Sequence, residues 1–343
     1  MTRIAYLVSS ASEITMSDGG SHPTGYFAEE ALKPYERFVE AGFDVVVTTP
    51  DGTAPTADPY GLRWYFHYPD DDKDYLDSVV RTFATDPDDI RFTLQHNTDL
   101  DLAAARRIAL LLQQRGHSAA QAHAVVSRAA KAAWRGSRHL VDVLDGDAQA
   151  GLARGDLQAA ADEQRRASEA LSAERKAKLD AIDGFQRPVD LSALGDEELA
   201  GFDAVFAPGG HGPMVDLAGN PHVARLLTVL HERRAPIAAL CHGPALLLSA
   251  PERSDGQWLF DGYRMTCFTD EEEDQTEPGR LGLPWYVDTA LKNAGAVFDD
   301  GPQAWASHVV VDRNVITGQN PGSTEAMADA VIKALRVPAS RAA

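Results

Sequence analysis

The chain has 343 residues, with 51 acidic against 32 basic side chains for a net charge of −19, and 44% of it is hydrophobic. That apolar share suffices for a buried core, and an acidic chain without a basic block excludes nucleic acid and anionic membrane as expected partners, because both need clustered Lys and Arg. Two cysteines, Cys241 and Cys267, exclude a disulfide framework and suit a reducing, cytoplasmic setting.

Ile4–Val8 is an apolar run of strand length, too short for a signal peptide, and no run of about 18 apolar residues suggests a membrane span. A polar loop at Ser17-Asp-Gly-Gly-Ser21 precedes a helical pattern from about Tyr26 to Ala41, stopped by Gly42 at a C′ position. Asp44–Thr49, with Val45-Val-Val47, reads as a buried strand ended by Pro50-Asp-Gly52. Asp70-Asp-Asp72 reads as a solvated loop. No proline occurs between Pro87 and Pro188, and alanine dominates stretches such as Ala103-Ala-Ala105 and Ala159-Ala-Ala161. Leucine and valine recur there at helical spacing, with Gly116, Gly136, Gly146 and Gly151 as punctuation, so three or four amphipathic helices are expected. The β/α rhythm then resumes. Asp203–Ala207 reads as a strand, Pro208-Gly-Gly-His-Gly212 as a turn, Val223–Arg233 as a helix, Ile237–Leu240 as a strand and Gly243–Ser249 as a helix. Val309–Val311 and Val315–Thr317 flank a tight turn, and Ser323 is placed to N-cap the last helix. Apolar runs separated by helices are the pattern of a parallel sheet.

The sharpest chemical signal is Ala238-Ala-Leu-Cys241-His-Gly-Pro-Ala245, a buried strand turning directly into a helix with a nucleophile-type residue at the corner. This is the logic of a nucleophile elbow rewritten with cysteine. Such a corner lifts the sulfur from the sheet, and a helix N-terminus there is expected to depress the thiol pKa. A lone cysteine reads as readily as a small buried hydrophobe, and it is the adjacent His242 that favours chemistry. His242 immediately follows Cys241, so its ring is not expected to point at the sulfur. Gly209 and Gly210 let backbone approach a substrate, and the Gly210 and His242 N–H groups could form an oxyanion pair.

Cys-His-Gly-Pro after an apolar strand, with Pro208-Gly-Gly-His-Gly upstream and Thr317-Gly-Gln-Asn-Pro321 downstream, resembles the DJ-1/PfpI superfamily. It is most similar to the branch of heat-shock-type chaperones and glyoxalase III enzymes, which shares a class I glutamine amidotransferase-like fold. The resemblance covers about residues 3–60 and 188–335. It implies an α/β, flavodoxin-like three-layer sandwich with a mostly parallel sheet, as a single domain over 1–343 interrupted by an all-helical insertion at 88–187. It also implies that Glu30, in Glu30-Ala-Leu-Lys-Pro34, contacts the sulfur, and that a glutamate after Cys267-Phe-Thr-Asp270 orients His242. Three consecutive glutamates stand there, and alignment favours Glu273 over Glu271 and Glu272. A Glu30 in a poorly solvated pocket has a raised pKa, suited to passing protons back and forth.

The expected site is therefore Cys241, His242, Glu30 and Glu273, with Gly209 and Gly210 at the oxyanion. The resemblance implies conversion of 2-oxoaldehydes such as methylglyoxal to 2-hydroxy acids without glutathione or cofactor, possible protein deglycation, and a homodimer. No metal site is expected: His22, His67, His211, His222 and His308 are scattered without i,i+4 pairing, and no residues match the two-His-one-carboxylate set of some relatives. Two other functions compete. A holdase or redox-sensing protein would use the insertion as apolar surface. A glutamine amidohydrolase would need a late His-x-Glu pair, whereas His308 is followed by Val309-Val310.

Overall fold

The computed structural model describes residues 1–63, 66–83 and 100–336. They form two compact units, one of Met1–Leu62 with Arg175–Ala343 and one of Arg63–Glu174. The second unit begins and ends earlier than the 88–187 expected for the insertion; residues 84–99, which include Pro87, lie outside the described residues.

In the first unit seven strands form one sheet: β1 (Arg3–Leu7), β2 (Asp44–Thr49), β3 (Val189–Asp190), β4 (Ala204–Ala207), β5 (Ile237–Leu240), β6 (Val309–Asp312) and β7 (Val315–Gly318). Their order is β6-β7-β5-β4-β1-β2-β3. Every pairing is parallel except the β6–β7 hairpin, which closes through Asp312 and Val315. This is the mostly parallel, flavodoxin-like α/β sheet.

The two-residue period of a strand sorts its side chains onto two cores. Ala5, Leu7, Val205, Ala207, Ile237, Ala239 and Val315 pack on one face with Leu226, Leu230 and Phe260. Ile4, Tyr6, Phe206, Ala238, Leu240 and Ile316 pack on the other with Phe38, Phe185 and Met327. Helices Ala28–Glu40 and Thr324–Arg336 cover this second face, and helices Pro221–Glu232 and Val287–Ala294 the first. Both faces are buried, so the strands carry apolar residues throughout, as parallel sheets require.

Local signals account for the boundaries. Asn220 caps helix Pro221–Glu232, its Oδ1 accepting from the His222 N–H at 2.9 Å, and Pro221 sits at N1. Gly42 follows helix Ala28–Glu40 with φ +82°, the left-handed C′ conformation that favours glycine. Ser323 stands at the N-cap position of the last helix, which starts at Thr324, but its hydroxyl bonds the His308 backbone, and Pro321–Ser323 form a 3₁₀ turn.

The second unit is helical among its described residues: Asp70–Val80, Ala105–Gln114, Ala119–Arg135, Leu140–Leu144 and the start of Arg154–Ala181. Gly116, Gly136, Gly146 and Gly151 fall between these helices. Leu76, Ile108, Leu112, Val126, Ala129, Ala133, Leu140 and Leu157 form its core. Ser118 and Gln121 make a reciprocal capping box at the start of Ala119–Arg135. Asp70-Asp-Asp72 is not a solvated loop. It opens a helix, where acidic side chains complement the dipole, and Asp72 is buried against Arg106 and Arg107. Among the described residues, no helix is long and apolar enough to cross a membrane.

Candidate active site

Open α/β sheets gather ligands at the carboxyl ends of their strands, and here the ends of β4 and β5 bring the expected residues together. Cys241 follows Leu240 at the end of β5 with φ +60°, a left-handed conformation that costs a non-glycine residue energy. Neighbouring strands and loops hold it there. Its N–H donates to the Gly318 carbonyl at 2.9 Å, and its carbonyl accepts from the Phe268 N–H at 2.9 Å. Gly243, two residues on, lies so close to β4 that a Cβ would stand 2.5 Å from the Ala207 carbonyl oxygen.

Glu30 comes from the first turn of helix Ala28–Glu40 and is fully buried. Its Oε2 accepts the Gly209 N–H at 2.8 Å, the buried Oε1 has no hydrogen-bond partner, and the carboxyl as a whole interacts with the Cys241 thiol. Gly209 is where these groups converge. A Cβ there would stand 2.7 Å from the Cys241 Cβ, 2.8 Å from Glu30 Oε2 and 2.8 Å from the His242 backbone nitrogen. Any larger residue would push the acid from the thiol. Burial raises the Glu30 carboxyl to about 8, with the Gly209 N–H and Cys241 opposing this. It is therefore a neutral acid at pH 7, and because Oε2 accepts, Oε1 is free to carry the proton.

His242 corrects one expectation. Its Nδ1 lies 3.2 Å from the Cys241 sulfur although the two residues are adjacent, because the left-handed turn at Cys241 brings both side chains to the same side. Its Nε2 is 2.5 Å from Glu273 Oε2, and its ring stacks on Phe268. Cys241 corrects another. It is 3% exposed, and its thiol is raised well above its ordinary pKa rather than depressed. Burial dominates, the Glu30 carboxyl adds to it, and the N–H of Gly210 opposes. The following segment is a short 3₁₀ helix, Gly243–Ser249, rather than the α-helix whose dipole was expected to favour thiolate. The glycines also divide their work. Gly209 N–H binds Glu30, and Gly210 N–H bonds the sulfur.

The three consecutive glutamates have separate places. Glu271 is exposed. Glu272 is fully buried and ties loops together, accepting from the Trp305 N–H at 2.6 Å, Gln319 Nε2 at 3.0 Å and Asn320 Nδ2 at 2.7 Å. The Thr317–Pro321 segment thus meets Glu272 through Gln319 and Asn320 and holds the Cys241 backbone through the Gly318 carbonyl. Glu273 faces the site, and its Oε1 accepts from His211 Nε2 and Thr276 Oγ1, each at 2.9 Å.

His211, which the sequence places among scattered histidines, is buried at the centre of this cluster. Its ring lies 4.2 Å from that of His242 and its Nδ1 3.9 Å from Asp58 Oδ2. Asp58 was not singled out. Its spacing gave no signal, because residues from four separate segments meet only in the fold. Donor atoms of His211, His242 and Glu273 lie within 4.8 Å of one another, so these two histidines and one carboxylate are the set among the described residues that could hold a cation. The expectation of scattered histidines thus fails for His211, although the same atoms are already joined by hydrogen bonds. Burial lowers the His211 pKa, but Glu273 and Asp58 outweigh it and hold the ring at about 10. Burial and His211 together push His242 down. For Glu273, burial favours the neutral acid, and the two imidazoles overcome it to keep a carboxylate. The resting cluster is therefore a thiol, a carboxylic acid, a neutral His242, an ionised Glu273 and a protonated His211.

The profile of the DJ-1/PfpI family matches residues 166–334. The chain is 37% identical over 148 residues to glutamine amidotransferase-like class 1 domain-containing protein 1 of Bos taurus, covering 43% of this chain and 59% of that protein. It is 27% identical over 148 residues to glyoxalase 3 of Candida albicans, covering 42% and 63%, and 33% identical over 155 residues to protein/nucleic acid deglycase HchA of Escherichia coli, covering 42% and 50%. These matches span roughly half to two thirds of the length of the relatives. Among solved structures, glyoxalase III of Candida albicans superposes with a TM-score of 0.55 at 18% identity, over 97% of each chain, a likeness of fold.

Proposed function

Because this chain belongs to the DJ-1/PfpI family, we propose that it converts 2-oxoaldehydes such as methylglyoxal to 2-hydroxy acids without glutathione, through a covalent adduct on Cys241. The observation that carries this reading is the Cys241 thiol set between a histidine nitrogen at 3.2 Å and a buried neutral carboxyl. A base to take the thiol proton and an acid to supply one are what addition to an aldehyde needs. The relatives named glyoxalase 3 and HchA deglycase support the substrate class.

The proton count closes over one cycle. Sulfur bonds to the aldehyde carbon C1 while His242 Nδ1 takes the thiol proton and Glu30 protonates the former aldehyde oxygen. The hemithioacetal leaves Glu30 ionised and His242 charged. Glu30 then removes the C1 proton as His242 protonates the C2 oxygen, giving an enediol. Glu30 returns its proton to C2 while His242 takes the proton from the C1 oxygen, giving a thioester of the 2-hydroxy acid. Water adds to the thioester carbonyl, losing a proton to Glu30, and the sulfur leaves with the proton of His242. Product is released with thiol, neutral Glu30 and neutral His242 restored.

The test is lactate formation from methylglyoxal by purified protein without glutathione. Wild type should form lactate and Cys241→Ala none. Lactate formation by Cys241→Ala at the wild-type rate would overturn the proposal. Suppression of client aggregation by a wild type that makes no lactate would favour a holdase instead.

A further inference from the structure

The two histidines and the carboxylate beside the thiol can do something that the cycle above does not use. We propose that His211, His242 and Glu273 form a binding site for one zinc ion, and that this ion and the thiol chemistry exclude one another. The exclusion rests on the proposed role of His242 at Cys241; the site itself does not.

Ligand type and spacing support the site. Two imidazoles and one carboxylate are a set that zinc takes with water at the fourth position, at about 2.0–2.2 Å from each donor, so that two ligand atoms on one tetrahedral ion stand about 3.3 Å apart. Donor atoms of the three side chains lie within 4.8 Å of one another. Both Nε2 atoms already face the Glu273 oxygens, that of His211 at 2.9 Å and that of His242 at 2.5 Å. A small adjustment of these side chains seats an ion among them, in place of the hydrogens that bridge them.

A hydrogen-bonded cluster would need only those contacts, whereas a ligand set also needs outer partners. An imidazole that binds metal through one nitrogen donates its other N–H to an acceptor. Both rings meet that demand. His211 Nδ1 faces Asp58 Oδ2 at 3.9 Å, and His242 Nδ1 faces the Cys241 sulfur at 3.2 Å. Asp58 is itself buried and fixed, accepting from the Tyr60 N–H at 2.8 Å and from Thr24 Oγ1 at 3.4 Å. Thr276 Oγ1 holds the Glu273 carboxylate at 2.9 Å. The supports are stiff, which keeps a ligand set in place. His211 lies in a turn where Gly210 has φ +89° and a Cβ on Gly212 would stand 2.5 Å from Ser9 Oγ. His242 stacks on Phe268, and Glu273 ends a one-turn helix closed by the Thr269–Glu272 capping box.

The exclusion follows from the same ring. Zinc on His242 Nε2 places the ring hydrogen on Nδ1, toward the sulfur, where the cycle needs a lone pair. Bound zinc is therefore an inhibitor of turnover and not its cofactor.

Titration of chelator-treated protein with Zn²⁺ in a calorimeter, and with Co²⁺ followed by visible absorption, tests the site. Wild type should bind one ion per chain, and its cobalt spectrum should show four-coordinate nitrogen and oxygen ligation without a thiolate charge-transfer band. Cys241→Ser, which removes the sulfur but keeps an acceptor for Nδ1, should still bind one zinc. Asp58→Asn should raise Kd about 10–100-fold, the usual cost of losing an outer partner, and His211→Gln should raise it further. Zinc should stop lactate formation by wild type, and EDTA should restore it. Absence of binding by wild type would overturn the assignment. A thiolate band, or loss of zinc in Cys241→Ser, would move the ion onto the sulfur and overturn it as well. Unchanged affinity in His211→Gln, or in Asp58→Asn where His211→Gln fails to fold, would do the same, as would full turnover with zinc bound. Binding is read without turnover. If wild type holds zinc in this way but makes no lactate, the site stands and the exclusion falls with the proposed activity.

Discussion

The two compact units solve burial in different ways. The helical unit, Arg63–Glu174, builds its described core from alanine, leucine and valine, and its buried Asp72 is answered by two arginines at 3.2 and 3.3 Å. The α/β unit buries Glu30, Asp58, His211, Cys241, His242, Glu272 and Glu273 around the ends of two strands. Buried ionisable groups cost stability unless each is paired or neutral. The helical unit thus buries one carboxylate, compensated by arginines, and one histidine, His67, whereas the coupled cluster of ionisable groups stands in the α/β unit. The helical unit needs only amphipathic packing for its fold, and no site residue named above comes from it.

Mutations test that contrast. The largest effect belongs to Cys241→Ala, which should abolish lactate formation, because no second nucleophile stands at the corner. Glu30→Gln should lower kcat by about 10²–10⁴-fold if the carboxyl carries protons between the two carbons. The same variant carries a stability signature. Glu30 titrates near 8 in the fold against an ordinary value of 4.5, so the folded state binds more protons between these values. Its contribution is complete below about 4.5 and lost as pH rises through about 8. Chemical denaturation across that window should therefore show Glu30→Gln gaining on wild type as pH rises; a constant difference would contradict the buried neutral acid.

Smaller effects separate the neighbouring glutamates and then the units. Glu272→Gln should cost about 1–3 kcal/mol in thermal unfolding, since three N–H donors lose a charged acceptor, while the pH profile of turnover keeps its shape. A shifted profile would place Glu272 in the site instead. Asp72→Ala should cost about 1–2 kcal/mol, limited because Arg106 and Arg107 are partly exposed, and should leave kcat unchanged. Loss of turnover there, in protein that remains folded, would show that the helical unit shares in catalysis. The exposed Lys176–Asp180 pair marks the floor, and Asp180→Ala should change stability by no more than about 0.5 kcal/mol.

Much of the sheet was legible in the sequence because its signals are local. Asp44–Thr49 and Ile237–Leu240 coincide with apolar runs bounded by turn residues, and the Cys241 corner follows from an apolar strand meeting Gly243-Pro244. Cys241, His242, Glu30 and Glu273 are brought together by the fold, although Glu30 and Glu273 came from the family resemblance and not from a physical rule. Patterning failed where long-range packing decides. Asp70-Asp-Asp72 looks like solvent-exposed charge until Arg106 and Arg107 arrive from 34 and 35 residues away. His211 sits in a glycine turn with no periodic partner, and its significance lies in a carboxylate 62 residues on. The thiol pKa was misread for a similar reason, because the local helix-end argument omitted the burial and neighbouring carboxyl that outweigh it.

The proposed chemistry needs Cys241 to form the bond to substrate and Glu30 to move the proton afterwards, and one measurement addresses both. Glu30→Gln protein, mixed with methylglyoxal without glutathione, is quenched at intervals and mapped by peptide mass spectrometry alongside wild type and Cys241→Ala. The predicted result is a one-methylglyoxal adduct that accumulates on Cys241 in Glu30→Gln with little lactate, turns over to lactate in wild type, and is absent from residue 241 of Cys241→Ala. Wild-type rates of lactate formation by Glu30→Gln, or lactate accumulating in wild type while Cys241 stays unmodified throughout, would contradict it.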